Sequence, residues 1–108
     1  MDALSELQEW YSSQCNDDWE HQYGIKLDTL DNPGWILKIN LEETYLESRP
    51  FEPQRHNTES PEYDPIAKIS WWDVRVENKT FRAACGPHDL PIIFSIFRKW
   101  GEMSARSN

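Results

Sequence analysis

Apolar residues near the start of the chain recur at three- and four-residue spacing. Leu4, Leu7, Tyr11 and Gln14/Cys15 share one side, while Glu6, Glu9, Ser12 and Ser13 face elsewhere. That period predicts an amphipathic helix over residues 3 to 15, with Asp2 as its N-cap. The period then changes to two. Tyr23, Ile25 and Leu27 alternate with Gly24, Lys26 and Asp28, and Trp35, Leu37, Ile39 and Leu41 alternate with Ile36, Lys38 and Asn40. Two half-buried strands follow, joined through Asp31-Asn32-Pro33-Gly34. Their apolar residues are all odd-numbered, and opposing residues must share a face, so the numbers of paired residues must sum to an even value. An odd-length loop satisfies this, for example one pairing Asp31 with Trp35, and so does a bulge at Gly34.

Residues 48 to 65 carry four prolines and no Val, Ile, Leu or Met, which excludes a central strand. They read as a long excursion with a short edge strand near Phe51. Order resumes at Ile66. Trp72, Val74 and Val76 occupy even positions and Phe81, Ala83 and Cys85 odd ones, so a two-residue loop at Asn78-Lys79 pairs Val76 with Phe81 and Val74 with Ala83. Trp71 is out of phase with Trp72, which calls for a bulge or for Trp71 on the outer face. Gly86-Pro87 ends the strand, Asp89 is placed to cap a helix, and Pro91 falls in its first turn. Leu90, Ile93, Phe94, Phe97 and Trp100 mark one face of that helix through residue 100, with a frayed tail over 102–108. The order helix, four to five antiparallel strands, helix predicts a single α+β domain over 1–108 with both helices on one face of the sheet.

Composition sharpens this picture. A chain of 108 residues with 38% hydrophobic content supports one modest core. Six tryptophans cannot all be fully buried in it, because each is large and has an N–H that needs a partner. No basic region precedes an apolar run and no apolar segment approaches membrane-spanning length, so the expectation is a cytoplasmic protein with no membrane partner. Cys15 and Cys85 are then reduced thiols rather than a disulfide. The net charge of -8 is uneven: residues 1 to 47 hold eleven acids against Lys26 and Lys38, whereas residues 66 to 108 hold seven bases against four acids. An acidic half repels nucleic acid and attracts a basic protein.

Candidate chemistry is sparse. Asp17, Asp18 and Glu20 lie in a turn after the first helix, with nothing in the sequence to set two carboxyls facing one another for acid and base work. The histidines and cysteines have no metal-ligand spacing, and no cofactor is implied. Cys85-Gly86-Pro87-His88 is the one enzyme candidate, a thiol before a helix N-terminus with an imidazole three residues on. An anion-holding loop of the cysteine phosphatase type needs Arg six residues after the Cys, and that position is Pro91. Cys85 also continues the apolar alternation of Phe81 and Ala83, as a core residue would. Aromatics among acids suggest a protein interface instead, with Trp19, between Asp18 and Glu20, and Trp71 as anchors.

The residues from Trp10 to Trp35, WYSSQCNDDWEHQYGIKLDTLDNPGW, resemble the immunity protein 53 family of bacterial polymorphic toxin systems. The similarity continues through Lys38-Ile39-Asn40-Leu41, Phe81 to Gly86-Pro87 and the closing Ile-Phe-x-x-Trp helix. The resemblance implies a small cytoplasmic protein that neutralises a cognate toxin domain by binding it, without catalysis. With the acidic half, it gives Asp17, Asp18, Trp19, Glu20, Asp28, Asp31 and Trp71 as the expected partner-facing residues. As a hot spot, Trp19 would lose about 2 kcal/mol of affinity on replacement by Ala.

Overall fold

The two periodicities become two layers, a five-stranded antiparallel sheet and a pair of helices. A computed structural model describes residues 2–31, 33–58 and 70–106. In chain order the elements are α1 (Ala3–Gln14), α2 (Trp19–Gln22), β1 (Ile25–Leu30), β2 (Gly34–Asn40), β3 (Gln54–His56), β4 (Trp72–Glu77), β5 (Thr80–Cys85) and α3 (Leu90–Arg106). The strands lie side by side as β1-β2-β5-β4-β3, so the two hairpins meet at β2 and β5 in the centre of the sheet. The class is α+β.

Both hairpin registers obey the parity read from the sequence. Leu30 pairs with Gly34 and Thr29 with Trp35, an even sum with three residues in the loop, the expected loop length displaced by one residue from Asp31 opposite Trp35. Val76 pairs with Phe81 and Val74 with Ala83. The turn residues Asn78 and Lys79 both have positive φ, 52° and 58°, the backbone twist that a two-residue hairpin requires. Trp71 continues the ladder without a bulge: its carbonyl accepts from the Gly86 N–H at 3.0 Å. The short edge strand lies at 54–56, three residues beyond Phe51. The expected start of order at Ile66 and the stretch 59–65 of the Pro-rich loop fall outside the described residues.

The core lies between the helices and the odd face of β2 and β5. Leu37, Ile39, Val74, Phe81, Ala83, Cys85 and Ile93 are fully buried. Phe81 sits at the centre, with its ring centroid 4.9 Å from Phe97 and 5.6 Å from Phe51. Asp2 caps α1, accepting from Ser5 N at 2.8 Å. The buried stripe of α1, however, is Ala3, Leu7 and Trp10, whereas Leu4 and Tyr11 are exposed at 51% and 38%. The helix is turned toward α3, where Trp10 meets Phe97 edge-on at 5.0 Å and Glu6 pairs with Arg98 at 3.0 Å. On edge strand β1 Ile25 still packs against the core, whereas Leu27 is 46% exposed instead of buried. At the other end α3 continues through Gly101, past the expected stop at residue 100. Gly101 is buried, and its carbonyl accepts from the Tyr45 hydroxyl at 3.4 Å, so tertiary contact offsets the helix cost of a glycine.

Candidate functional site

The acidic turn after α1 is built by two side chains that satisfy its backbone. Asn16 Oδ1 accepts from Asp18 N at 3.1 Å and from Trp19 N at 2.9 Å, while the Glu20 carboxylate accepts from Asn16 N and Asp17 N, each at 2.9 Å. This reciprocal exchange closes the turn ahead of the unexpected one-turn helix α2, whose N-cap Asp18 makes no side-chain cap bond of its own. Backbone N–H groups, those of Glu20 itself and of Asn16 first, hold the Glu20 carboxyl below its ordinary range. Asp17 takes a left-handed φ of 71°, and Asp17 and Asp18 project into solvent. Glu20 is thus occupied in ordering the turn, and Asp17 and Asp18 are the carboxylates exposed there.

Trp19 corrects the sequence expectation. It is 3% exposed, its indole Nε1 donates to the Glu42 carbonyl at 2.8 Å, and its ring stands edge-on to Trp10 and Tyr11, both at 6.0 Å. A side chain with so little exposed area fastens the 16–24 segment to the turn after β2, and it is not placed as a surface anchor. The attachment brings two further acids to the same corner. Interaction with the Glu42 and Glu43 carboxylates pushes the Tyr23 hydroxyl pKa up to about 12. Tyr23 is therefore a half-buried corner residue, and the first strand starts at Ile25 rather than at Tyr23. Glu42 and Glu43 stand at the end of a strand in the sequence, and nothing local marks them as neighbours of Asp17 and Asp18.

The remaining expected residues lie elsewhere. Asp28 is exposed midway along β1 on its outer face, and Asp31 is exposed in the turn at the far end of the strand. Trp71 is on the outer face of the sheet. Its indole lies flat over two glycines, so that a Cβ on Gly34 would collide with the Cys85 carbonyl and press on Trp71 at 3.2 Å, and one on Gly86 would meet Trp71 at 3.1 Å. The seven residues thus fall into three places: the corner, the far end of β1 and the outer face.

The outer face is exposed at Lys26, Asp28 and Lys38 on β1 and β2 and half-buried at Trp71, Asp73 and Arg75. Among the described residues both long helices pack on the opposite side, and the register fixes the outer grid row by row. One row runs Lys26, Lys38, Arg82, Arg75 across β1, β2, β5 and β4; the next runs Asp28, Ile36, Ala84, Asp73. Beside the first row is a cleft of about 380 Å³, lined in part by His21, Gln22, Lys26, Lys38, Asn40 and Thr80.

Thiol chemistry at Cys85 does not fit this arrangement. The side chain is fully buried, and burial followed by the nearby Asp89 carboxylate pushes its pKa up to about 12. His88 is exposed. A thiolate nucleophile requires the reverse, an accessible sulfur with a lowered pKa. Iodoacetamide at neutral pH should therefore alkylate one cysteine of the folded protein, the exposed Cys15, and both after denaturation, as read by intact mass. Rapid double labelling of the folded chain would contradict the burial of Cys85. Because the folded pKa of this thiol lies above its ordinary value of 9.0, its contribution to stability is complete below about pH 9 and is lost as the pH rises toward 12. Among the described residues no group of three or more His, Cys, Asp or Glu could hold a metal ion, and no helix is long and apolar enough to cross a membrane.

Comparison with known proteins gives one result. The model of a family described as Immunity protein 53 matches residues 4–102, which takes in all five strands, α2 and most of α1 and α3. No curated protein and no solved structure matches the chain.

Proposed function

The chain belongs to the Immunity protein 53 family, and from that premise we propose that it is a cytoplasmic inhibitor that binds and neutralises the toxin domain made beside it, acting by occupancy and not by turnover. The family match over residues 4–102 carries this reading. The burial of Cys85, the one candidate nucleophile, speaks for the same conclusion. Of the partner-facing residues, Asp17 and Asp18, joined at their corner by Glu42 and Glu43, together with Asp28, Asp31 and Trp71, support contact with a toxin surface that is basic at least in part. A nuclease domain is the kind of toxin such an acidic surface fits, because its nucleic-acid groove must attract phosphate. Glu20 and Trp19 contribute by holding the corner in shape.

The test is a calorimetric titration against the C-terminal domain of the neighbouring toxin at two salt concentrations. The expected result is tight one-to-one binding that weakens as salt rises, since exposed charges are screened within a Debye length of about 8 Å at physiological ionic strength. Absence of binding at micromolar concentrations would overturn the inhibitor reading, and tight binding indifferent to salt would remove the acidic surface from it.

A further inference from the structure

The row Lys26, Lys38, Arg82, Arg75 puts four like charges side by side across four strands of the open face. Directly opposed like charges destabilise a sheet, and three such contacts occur in succession here. Counter-charges do little to relieve them. Arg75 reaches Asp73 at 3.9 Å and Arg82 reaches Glu77 at 4.0 Å, both at the limit of an ion pair, and Asp73 is shared with Arg55 at 3.5 Å. Among the described residues no carboxylate lies within 4.0 Å of Lys26 or Lys38. The row spans about 14 Å. It lies in a chain of net charge -8, so its sign runs against that of the molecule.

Its position is specific as well. The cleft of about 380 Å³ opens beside Lys26 and Lys38 at the Gly24 end of β1, where an added Cβ on Gly24 would meet nothing within 4 Å. His21, Asn40 and Thr80 also line the cleft. Along the same strands, two rows beyond the basic one, Trp71 and Leu30 flank the backbone of Gly34 and Gly86, with Ile36 and Ala84 in the row between. The open face therefore has an apolar patch and a charged row, the composition of an interface with a dry centre and a polar rim.

We propose that this open sheet face is a second half of the toxin contact, in which Lys26, Lys38, Arg82 and Arg75 receive an acidic segment of the toxin, one carboxylate side chain entering the cleft beside the two lysines. The inference rests on the inhibitor reading above and adds to it a bipolar surface, acidic at the Asp17, Asp18, Glu42, Glu43 corner and basic along the row. Complementary charge of both signs fixes one orientation of the partner, which a uniformly acidic surface cannot do. A protein partner is favoured over nucleic acid because Tyr23, which lines the cleft, also feels the Glu42 and Glu43 carboxylates of the acidic corner, and those charges would repel a phosphate backbone.

The experiment compares the wild type, the Lys26→Glu/Lys38→Glu double variant, the neutral Lys26→Gln/Lys38→Gln pair and Lys99→Glu, an exposed change on α3, in calorimetric titrations with the neighbouring toxin domain. Thermal melts of each variant accompany the titrations. The charge reversal is expected to weaken binding by about tenfold or more, the neutral pair by less and Lys99→Glu by under about twofold. At the same time the neutral pair should raise Tm by about 1–5 °C, because it removes like-charge contacts from the sheet. Weaker binding with a more stable fold is a combination that damaged folding cannot produce. If the wild type binds and the reversal matches Lys99→Glu, this surface is not used and the inhibitor reading stands. Failure of the wild type to bind would remove the inhibitor reading itself. Binding of a fluorescein-labelled single-stranded RNA, or self-association in ultracentrifugation, that is lost in the same variants would assign the row to phosphate or to a second copy and overturn the proposal.

Discussion

Replacing Trp19 by Ala is expected to cost about 3–5 kcal/mol of folding stability, the range for emptying a large aromatic from a buried site. The side chain is 3% exposed, and three aromatic rings meet around it: Trp10, Tyr11 and Tyr23 lie 6.0, 6.0 and 6.2 Å from Trp19 between centroids. The substitution also deprives the Glu42 carbonyl of its indole donor, a bond that closes 23 residues of chain. Urea unfolding followed by circular dichroism measures the loss, with Trp19→Phe as the companion. Phe keeps much of the bulk and removes the N–H, so it should lose about 1–3 kcal/mol, with the smaller part from the hydrogen bond. A loss below about 1 kcal/mol for Trp19→Ala would show that the corner is not held by this ring and would return it to the list of surface anchors. If the inhibitor reading holds, any loss of toxin affinity in Trp19→Ala should follow from disorder of Asp17, Asp18, Glu42 and Glu43. At low temperature, where the variant is mostly folded, it should shrink.

The second large effect is expected at Asp89, the one buried charged residue among those described, at 3% exposure. Its main-chain carbonyl accepts from Ile92 N and Ile93 N to begin α3, as an N-cap residue does. The carboxylate turns instead to the sheet, where Oδ1 accepts from Ser70 Oγ at 2.9 Å and Oδ2 from Trp71 N at 3.0 Å. One residue thus ties the start of α3 to the start of β4, across a separation of 18 positions in the chain. Asp89→Ala removes two charge-assisted bonds and leaves the Trp71 N–H, part-buried, without its acceptor; the expected cost is about 3 kcal/mol. Asp89→Asn retains an oxygen for one of the two donors and should lose about half as much. Denaturant midpoints of the two variants decide the matter, and equal losses would mean that the carboxylate charge contributes nothing beyond its shape. Because Trp71 begins its strand at this bond, Asp89→Ala should also disturb the open face.

Much of the fold was legible because its signals are local. Strand alternation set the face of each residue, and parity then restricted the first hairpin to an odd loop or a bulge and allowed a two-residue turn at Asn78-Lys79. The Asp2 cap and the Asp89 position needed only a few neighbouring residues. The errors share a cause. Leu4 and Tyr11 fit an apolar helix face as well as Ala3, Leu7 and Trp10 do, and only the position of α3 decides which stripe is covered. Leu27 alternates as a core residue would, yet it lies on an edge strand and is 46% exposed. Trp19 stands among acids in the sequence and is buried because the turn at 42–43 folds over it.

The candidate site shows the same division. The sequence by itself determined the α+β class, the in-or-out assignment along each strand, the acidic bias of the first half and the family, since each depends on residue type and short spacing alone. It also placed Arg75 opposite Arg82, because a two-residue hairpin loop leaves no other register. Tertiary structure alone decided that β2 lies beside β5, which sets Lys38 against Arg82 and completes the basic row, and that Glu42 and Glu43 join the Asp17 and Asp18 corner. Those juxtapositions join segments more than twenty residues apart. Their selection rests on the packing of Leu37, Ile39, Phe81 and Ala83 into one shared core, a choice that hydrophobic burial makes only once the whole chain competes for the same apolar contacts.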